Sequence, residues 1–169
     1  MSEHPIARRA QRLRGSFAHM TARLSPMEQA LAEARKAEER GEVPVGAVLM
    51  ADDGRLLAAA GNRTREMADP TAHAEMLVIR EACRTLGVER LVGTSLYVTL
   101  EPCPMCAAAI SLARVRRLYF GASDSKGGGV ESGPRIFSQP TCHHAPEVYG
   151  GICAREAGDL LVGFFAARR

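Results

Sequence analysis

The chain has no tryptophan, and aromatic residues make up only 5% of its 169 residues. That is too little π-surface for a broad platform on which successive bases of a single strand could stack. Long apolar runs are missing as well. No stretch approaches the roughly 20 residues that a membrane-spanning helix needs, so a helical membrane span is excluded. Residues 5–20 lack the apolar core of a secretory signal, and no internal repeat is visible. Neither sign of charge dominates, the formal net charge being +3. Cysteine occurs in odd number, as Cys83, Cys103, Cys106, Cys142 and Cys153, which argues against a framework of paired disulfides. The expected setting is a reducing cytoplasm, where the C-x-x-C pair Cys103 and Cys106 points to metal or redox chemistry.

What is present fits one soluble domain: 46% hydrophobic and 24% charged residues. The charge is unevenly spread. Residues 1–24 carry Arg8, Arg9, Arg12, Arg14 and Arg23 against Glu3 alone, whereas the remainder holds 17 basic and 18 acidic side chains. Residues 1–24 are therefore expected to be a basic, flexible N-terminal tail, and residues 25–169 the folded domain. Within the domain the last third is modestly basic, with Arg114, Arg116, Arg117, Lys126, Arg155, Arg168 and Arg169. These residues would suit a phosphate-contacting face, although Arg114, Arg116 and Arg117 read equally well as a solvated strand edge.

Order begins at Ser25. Ser25-Pro26-Met27-Glu28 is a capping box with proline at the first helical position, and Met27, Ala30, Leu31, Ala34 and Ala37 follow at helical spacing. Val45–Met50 and Leu56–Gly61 read as a strand pair around Asp52-Asp53-Gly54. A helix is expected over 71–86, a strand over 94–100, a short apolar helix over 103–112, a strand over 115–120 and a closing helix over 154–167. Ser123–Gly133 is glycine-rich and reads as a loop, while 134–150 carries no clear pattern. Helices alternating with strands imply an α/β protein with a mixed sheet and helices on its faces.

Two short words carry chemistry. His73-Ala74-Glu75 opens one predicted helix, and Pro102-Cys103-Pro104-Met105-Cys106 follows a strand and opens the next. One imidazole and two thiolates make three zinc ligands, which leaves the fourth tetrahedral position open, as catalytic sites do. A helix N-terminus lowers thiol pKa and favours the thiolate that binds metal. Glu75, two residues from His73, is placed to carry protons. The bland alternatives are a redox pair for the cysteines and a carboxylate that merely favours the helix dipole for Glu75.

His73-Ala74-Glu75 together with Pro102–Cys106 resembles the zinc-dependent cytidine and deoxycytidylate deaminase superfamily. Further words narrow the likeness to the bacterial tRNA-specific adenosine deaminases: Glu42–Val48, Gly61-Asn62-Arg63, Asp69–Glu75, Leu96–Cys103, Phe120–Gly127, and the run from Asp159 through Phe164-Phe165 to Arg169. The resemblance covers about Ser25 to the C-terminus. The glycine run Gly127-Gly128-Gly129, the stretch 132–141 and His143-His144 depart from the family pattern.

The resemblance implies a three-layer, cytidine-deaminase-like fold with a five-stranded mixed sheet flanked by helices. It implies hydrolysis of the wobble adenosine of a tRNA anticodon stem-loop to inosine, with release of ammonia. One zinc ion per subunit would be held by His73, Cys103 and Cys106, with Glu75 as the proton shuttle. Asn62 and Asp124 would contact the substrate. Of Phe164 and Phe165, adjacent and unable to share one face, one would pack and the other meet the nucleotide or a dimer partner; Phe165 is the candidate substrate contact. A homodimer is implied too. Guanine deaminases share the Asp69–Glu75 stretch, so a free purine base is the alternative substrate.

Overall fold

A computed structural model describes residues 24–168 of the chain. The basic tail expected over 1–24 lies, but for Leu24, outside the described residues, as does Arg169. The elements are α1 (Pro26–Glu39), β1 (Gly46–Ala51), β2 (Leu56–Gly61), α2 (Ala74–Leu86), β3 (Thr94–Leu100), α3 (Pro104–Leu112), β4 (Arg117–Ala122), a single 3-10 turn (Ile136–Ser138), β5 (Glu147–Tyr149) and α4 (Ala154–Ala166).

The strands form one mixed sheet in the order β2-β1-β3-β4-β5. β1 runs antiparallel to β2 and β3, while β3, β4 and β5 are mutually parallel. Alternation along the strands divides the core into two layers. Ala47, Leu49, Leu96, Val98, Leu118 and Phe120 pack with Ala74, Val78, Ile79 and Ala82 of α2 and with Ala107 and Ile110 of α3. Val48, Met50, Tyr97 and Tyr119 meet Met27, Ala30 and Leu31 of α1 and Ala157 and Leu160 of α4 on the other face. The three-layer architecture expected from the sequence is present. No helix of the described residues is long and apolar enough to cross a membrane.

The capping box forms as expected: Glu28 N donates to Ser25 Oγ at 3.3 Å, and Ser25 N donates to Glu28 Oε2 at 2.6 Å. Further along, α1 lies unusually close to the hairpin. Gly46 and Gly61 pair directly across β1 and β2. A Cβ on Gly46 would come within 2.0 Å of the Ala30 carbonyl, and one on Gly61 within 2.5 Å of the Glu33 carbonyl. Only glycine permits that approach.

Three boundaries differ from the sequence expectation. Helix α2 begins at Ala74 rather than 71, because Asp69 Oδ1 captures both the N–H and the hydroxyl of Thr71 and bends the chain there. Strand β4 begins at Arg117 rather than 115. Arg114 adopts a left-handed φ of 59° after α3, and Val115 is fully buried in that turn, so its apolar character signals core and not strand. Strand β5, absent from the periodicity, has three residues of which only Val148 is partly buried. Its place is set by register: Tyr149 stacks on Tyr119 at 4.9 Å between centroids, and Tyr119 on Tyr97 at 4.5 Å. All three tyrosines of the chain thus build one cross-strand ladder.

One consequence of the topology positions the site. β2, β3 and β4 all point the same way, so Asn62, Glu101–Cys103 and Ser123–Asp124 leave the sheet at one end, the end at which Glu42 enters β1. Open α/β sheets bind ligands outside the carboxyl ends of parallel strands. Arg116 and Arg117 lie at the opposite end, ion-paired with Asp52 and Glu147.

Candidate metal centre and active site

His73 is the N-cap of α2 and Cys103 the N-cap of α3, and neither side chain is spent on capping. Both project instead to a common point. His73 Nδ1 lies 3.7 Å from Cys103 Sγ and 3.5 Å from Cys106 Sγ. The three donor atoms all lie within 4.8 Å of one another. A tetrahedral zinc ion with ordinary bond lengths would hold nitrogen and sulfur about 3.5 Å apart. The imidazole nitrogen therefore already stands from both sulfurs at the separation a zinc ion requires. Cys106 is buried, and His73 and Cys103 are half-buried, which leaves one side accessible.

The electrostatics agree. The Cys103 thiol is pulled down to about 4, first by the hydrogen bond with Cys106 and also by His73. Cys106 is pushed up by that same bond and by burial. One proton thus leaves the thiol pair easily and the other is held, a state that a divalent cation would complete. His73 is raised, chiefly through its bond to Cys103.

Glu75 sits in the first turn of α2, 3% exposed. Burial raises its carboxyl from 4.5 to about 7, against the opposing pull of its own backbone N–H and the nearby His73. A group titrating near neutrality both accepts and returns a proton with little penalty.

Asn62, 7% exposed, uses Oδ1 to accept the Ala74 N–H at 2.9 Å, so it supplies the cap that His73 does not. This bond holds Asn62 beside the metal donors, and its amide nitrogen donates to nothing among the described residues. Asp124 is half-buried; its Oδ1 accepts from Lys126 N at 3.1 Å and Gly127 N at 2.9 Å and shapes the loop after β4. Of the phenylalanine pair, Phe164 is the one that packs, 4% exposed, with the Arg168 guanidinium 3.5 Å over its ring. Phe165 is 49% exposed in the last turn of α4, and no contact among the described residues joins it to the metal donors.

Two residues that the sequence did not single out complete the site. Glu42, 1% exposed, accepts from Arg65 N at 2.9 Å, Glu66 N at 2.8 Å and Thr64 Oγ1 at 3.1 Å, and so fixes the loop after Asn62. Glu101, 2% exposed, accepts from Asp124 N, Val130 N, Glu131 N, Ser132 N and Ser132 Oγ, at 2.8–3.2 Å. Burial pushes both carboxyls up, but the converging donors win and hold them below the ordinary value. The signal available in the sequence was their position, each just before a proline-containing turn that leads into a site element.

A three-donor centre, a buried glutamate beside it and two carboxylates that fix the neighbouring loops fit a hydrolytic metalloenzyme site of the zinc deaminase class. Comparison with known proteins agrees. The family model for the cytidine and deoxycytidylate deaminase zinc-binding region matches residues 20–122. The chain is 64% identical to a tRNA-specific adenosine deaminase from Agrobacterium fabrum, over 89% of this chain and 98% of that one. A structure solved in studies of A-to-I editing by tRNA:A34 deaminases at the wobble position is 67% identical, with a TM-score of 0.79 over 80% of this chain and 98% of that one. A guanine deaminase from Bacillus subtilis is further off, 31% identical with a TM-score of 0.58 over 85% and 91% of the two chains. The chain belongs to the cytidine and deoxycytidylate deaminase family, in the branch of the tRNA-specific adenosine deaminases.

Proposed function

We propose that this chain hydrolyses the wobble adenosine of a tRNA anticodon stem-loop to inosine, releasing ammonia, and that it does so as a cytoplasmic homodimer. The observation that carries the reading is the convergence of His73, Cys103 and Cys106 on one point beside buried Glu75, in a chain so similar to a tRNA-specific adenosine deaminase. The catalytic domain is residues 25–169.

His73, Cys103 and Cys106 would hold the zinc ion, which when bound would supply Lewis-acid activation of water. The chain's own residues do the rest. Glu75 takes a proton from the attacking water, passes it to the purine ring nitrogen as C6 becomes tetrahedral, and delivers the second proton to the departing amine. Water and adenosine enter, inosine and ammonia leave, and Glu75 ends as it began. The buried, near-neutral carboxyl suits both transfers. Asn62, already fixed by Ala74, has amide hydrogens free to meet an acceptor on the base. Asp124 and Phe165 contact the nucleotide and its flank. The target base must leave its stack to reach the centre, as in the zinc deaminases that are the type case of such chemistry.

Support for a second copy comes from Leu112, 75% exposed at the end of α3, beside a cleft lined by Ala109, Ile136 and Cys142. Sedimentation equilibrium at micromolar concentration tests it, a monomer counting against the dimer. The free cysteines favour the reducing cytoplasm.

The decisive experiment incubates zinc-loaded protein with an anticodon stem-loop carrying a wobble adenosine and, separately, with guanine. Inosine in the RNA is the expected product. Ammonia from guanine alone would move the chain to the free-base deaminases, whose Bacillus subtilis member shares the fold.

A further inference from the structure

Three consecutive glycines, Gly127 to Gly129, suggest a slack loop, yet this stretch is held tightly. Gly128, Gly129 and Val130 are buried. Gly129 N donates to the Pro102 carbonyl at 2.8 Å, and Ile136 N donates to the Gly129 carbonyl at 2.8 Å. A Cβ on Gly128 would lie 2.6 Å from the Glu101 carboxyl carbon, and one on Gly129 2.6 Å from the Pro104 nitrogen. The glycines here permit close approach.

The centre of this arrangement is Glu101. Oε1 accepts three backbone N–H groups, from Val130, Glu131 and Ser132, and Oε2 accepts the Asp124 N–H and the Ser132 hydroxyl. Both oxygens are occupied by donors, so the carboxylate is committed to the loop. It stands directly after β3 and two residues before Cys103. One side chain therefore links the segment that places a metal donor to the segment that presents Asp124.

We infer that Glu101 is a positioning residue for the deamination, acting through the 124–132 loop to hold Asp124 in register with the metal donors. The inference rests on the reading of this chain as a tRNA adenosine deaminase. Preformed geometry reduces the ordering cost of binding, so its loss falls on substrate capture more than on the chemical step.

The test compares the full-length, zinc-loaded protein with its Glu101→Gln variant on the anticodon stem-loop. The amide keeps the shape but turns a donor toward donors. KM is expected to rise roughly tenfold or more, with kcat changed less than about threefold. Zinc content should stay at one per chain. Amide hydrogen exchange over 124–132 should accelerate while α3 remains protected. Ser132→Ala removes one bond to Oε2 and should shift both readouts the same way by less; it carries the test alone if Glu101→Gln does not fold. An unchanged KM, a loss confined to kcat, or unchanged exchange over 124–132 would overturn the inference. Failure of the wild-type protein to form inosine would instead overturn the tRNA reading, and the exchange measurement would still decide whether Glu101 holds the loop.

Discussion

Glu75 and the pair Glu42 and Glu101 are buried almost equally, at 3%, 1% and 2% exposure, yet they titrate in opposite directions. Glu75 rises to about 7, whereas Glu42 and Glu101 fall below 4.5. The difference lies in depth, Glu75 being the most fully desolvated of the three, and in the company each keeps. Around Glu42 and Glu101 the chain folds back so that loop N–H groups converge on the carboxylate. Glu75 faces the thiol and imidazole of the metal centre, where nothing comparable replaces water. Burial alone favours the neutral acid; several donors reverse it. One region keeps a carboxyl able to move protons, and the other uses charge to fix loops.

The largest effect should come from removing the mobile proton. Glu75→Ala is expected to lower inosine formation by at least about a hundredfold while zinc content is retained. Retained turnover in a rate assay, with zinc content checked by atomic absorption, would erase the functional half of the contrast.

The next concerns pH. A carboxyl raised from 4.5 to about 7 contributes stability below 4.5 that is lost as pH rises through 7. For metal-free protein this contribution amounts to about 3 kcal/mol between pH 4.5 and 8, and it is read as the pH-dependent difference between wild type and Glu75→Gln in urea titrations, since the lowered Cys103 thiol acts with the opposite sign in both.

Glu42 behaves with the opposite sign. Its stabilisation is present above 4.5 and is lost as pH falls below that value. Glu42→Ala should cost about 3 kcal/mol at pH 7, because the donors of Thr64, Arg65 and Glu66 are left without their acceptor. The gap from wild type should narrow in acid, as thermal melts at pH 7 and pH 3.5 would reveal.

A smaller change tests the packing around Glu101. Gly128→Ala brings a methyl to 2.5 Å from the Asp124 carbonyl as well as to 2.6 Å from the Glu101 carboxyl. The expected cost is about 2 kcal/mol, read from the urea midpoint. A neutral outcome would mean that the loop yields easily and that the clamp is weaker than its geometry.

The parts that were legible beforehand rest on short-range geometry. Ser25 and Glu28 cap their helix because they are three residues apart, and Cys103 and Cys106 share a helical turn for the same reason. The three residues placed to hold a metal and the layered α/β class were readable in this way or through the resemblance. Asn62 was recognised by its motif word, but its bond to the Ala74 N–H was not, since it spans twelve residues and requires β2 to end beside α2. The glycine run read as a loop, as it is, but composition carries no record of what lies against it. β5 was invisible because an alternation of three mostly exposed residues is too short to read; its tyrosine needs Tyr119 already in place.

The sequence by itself determined which atoms are available to bind a metal and move a proton, and which helix ends hold them, because those relations close within one turn of chain. The meeting of His73 with Cys103 and Cys106 across about thirty residues was decided by the tertiary structure. So was the division of three buried glutamates into one whose carboxyl is raised and two clamped by loop donors. Both depend on which strands lie side by side and which loops fold back over them. A carboxylate's chemistry follows from the donors around it, and those are assembled only when the sheet is.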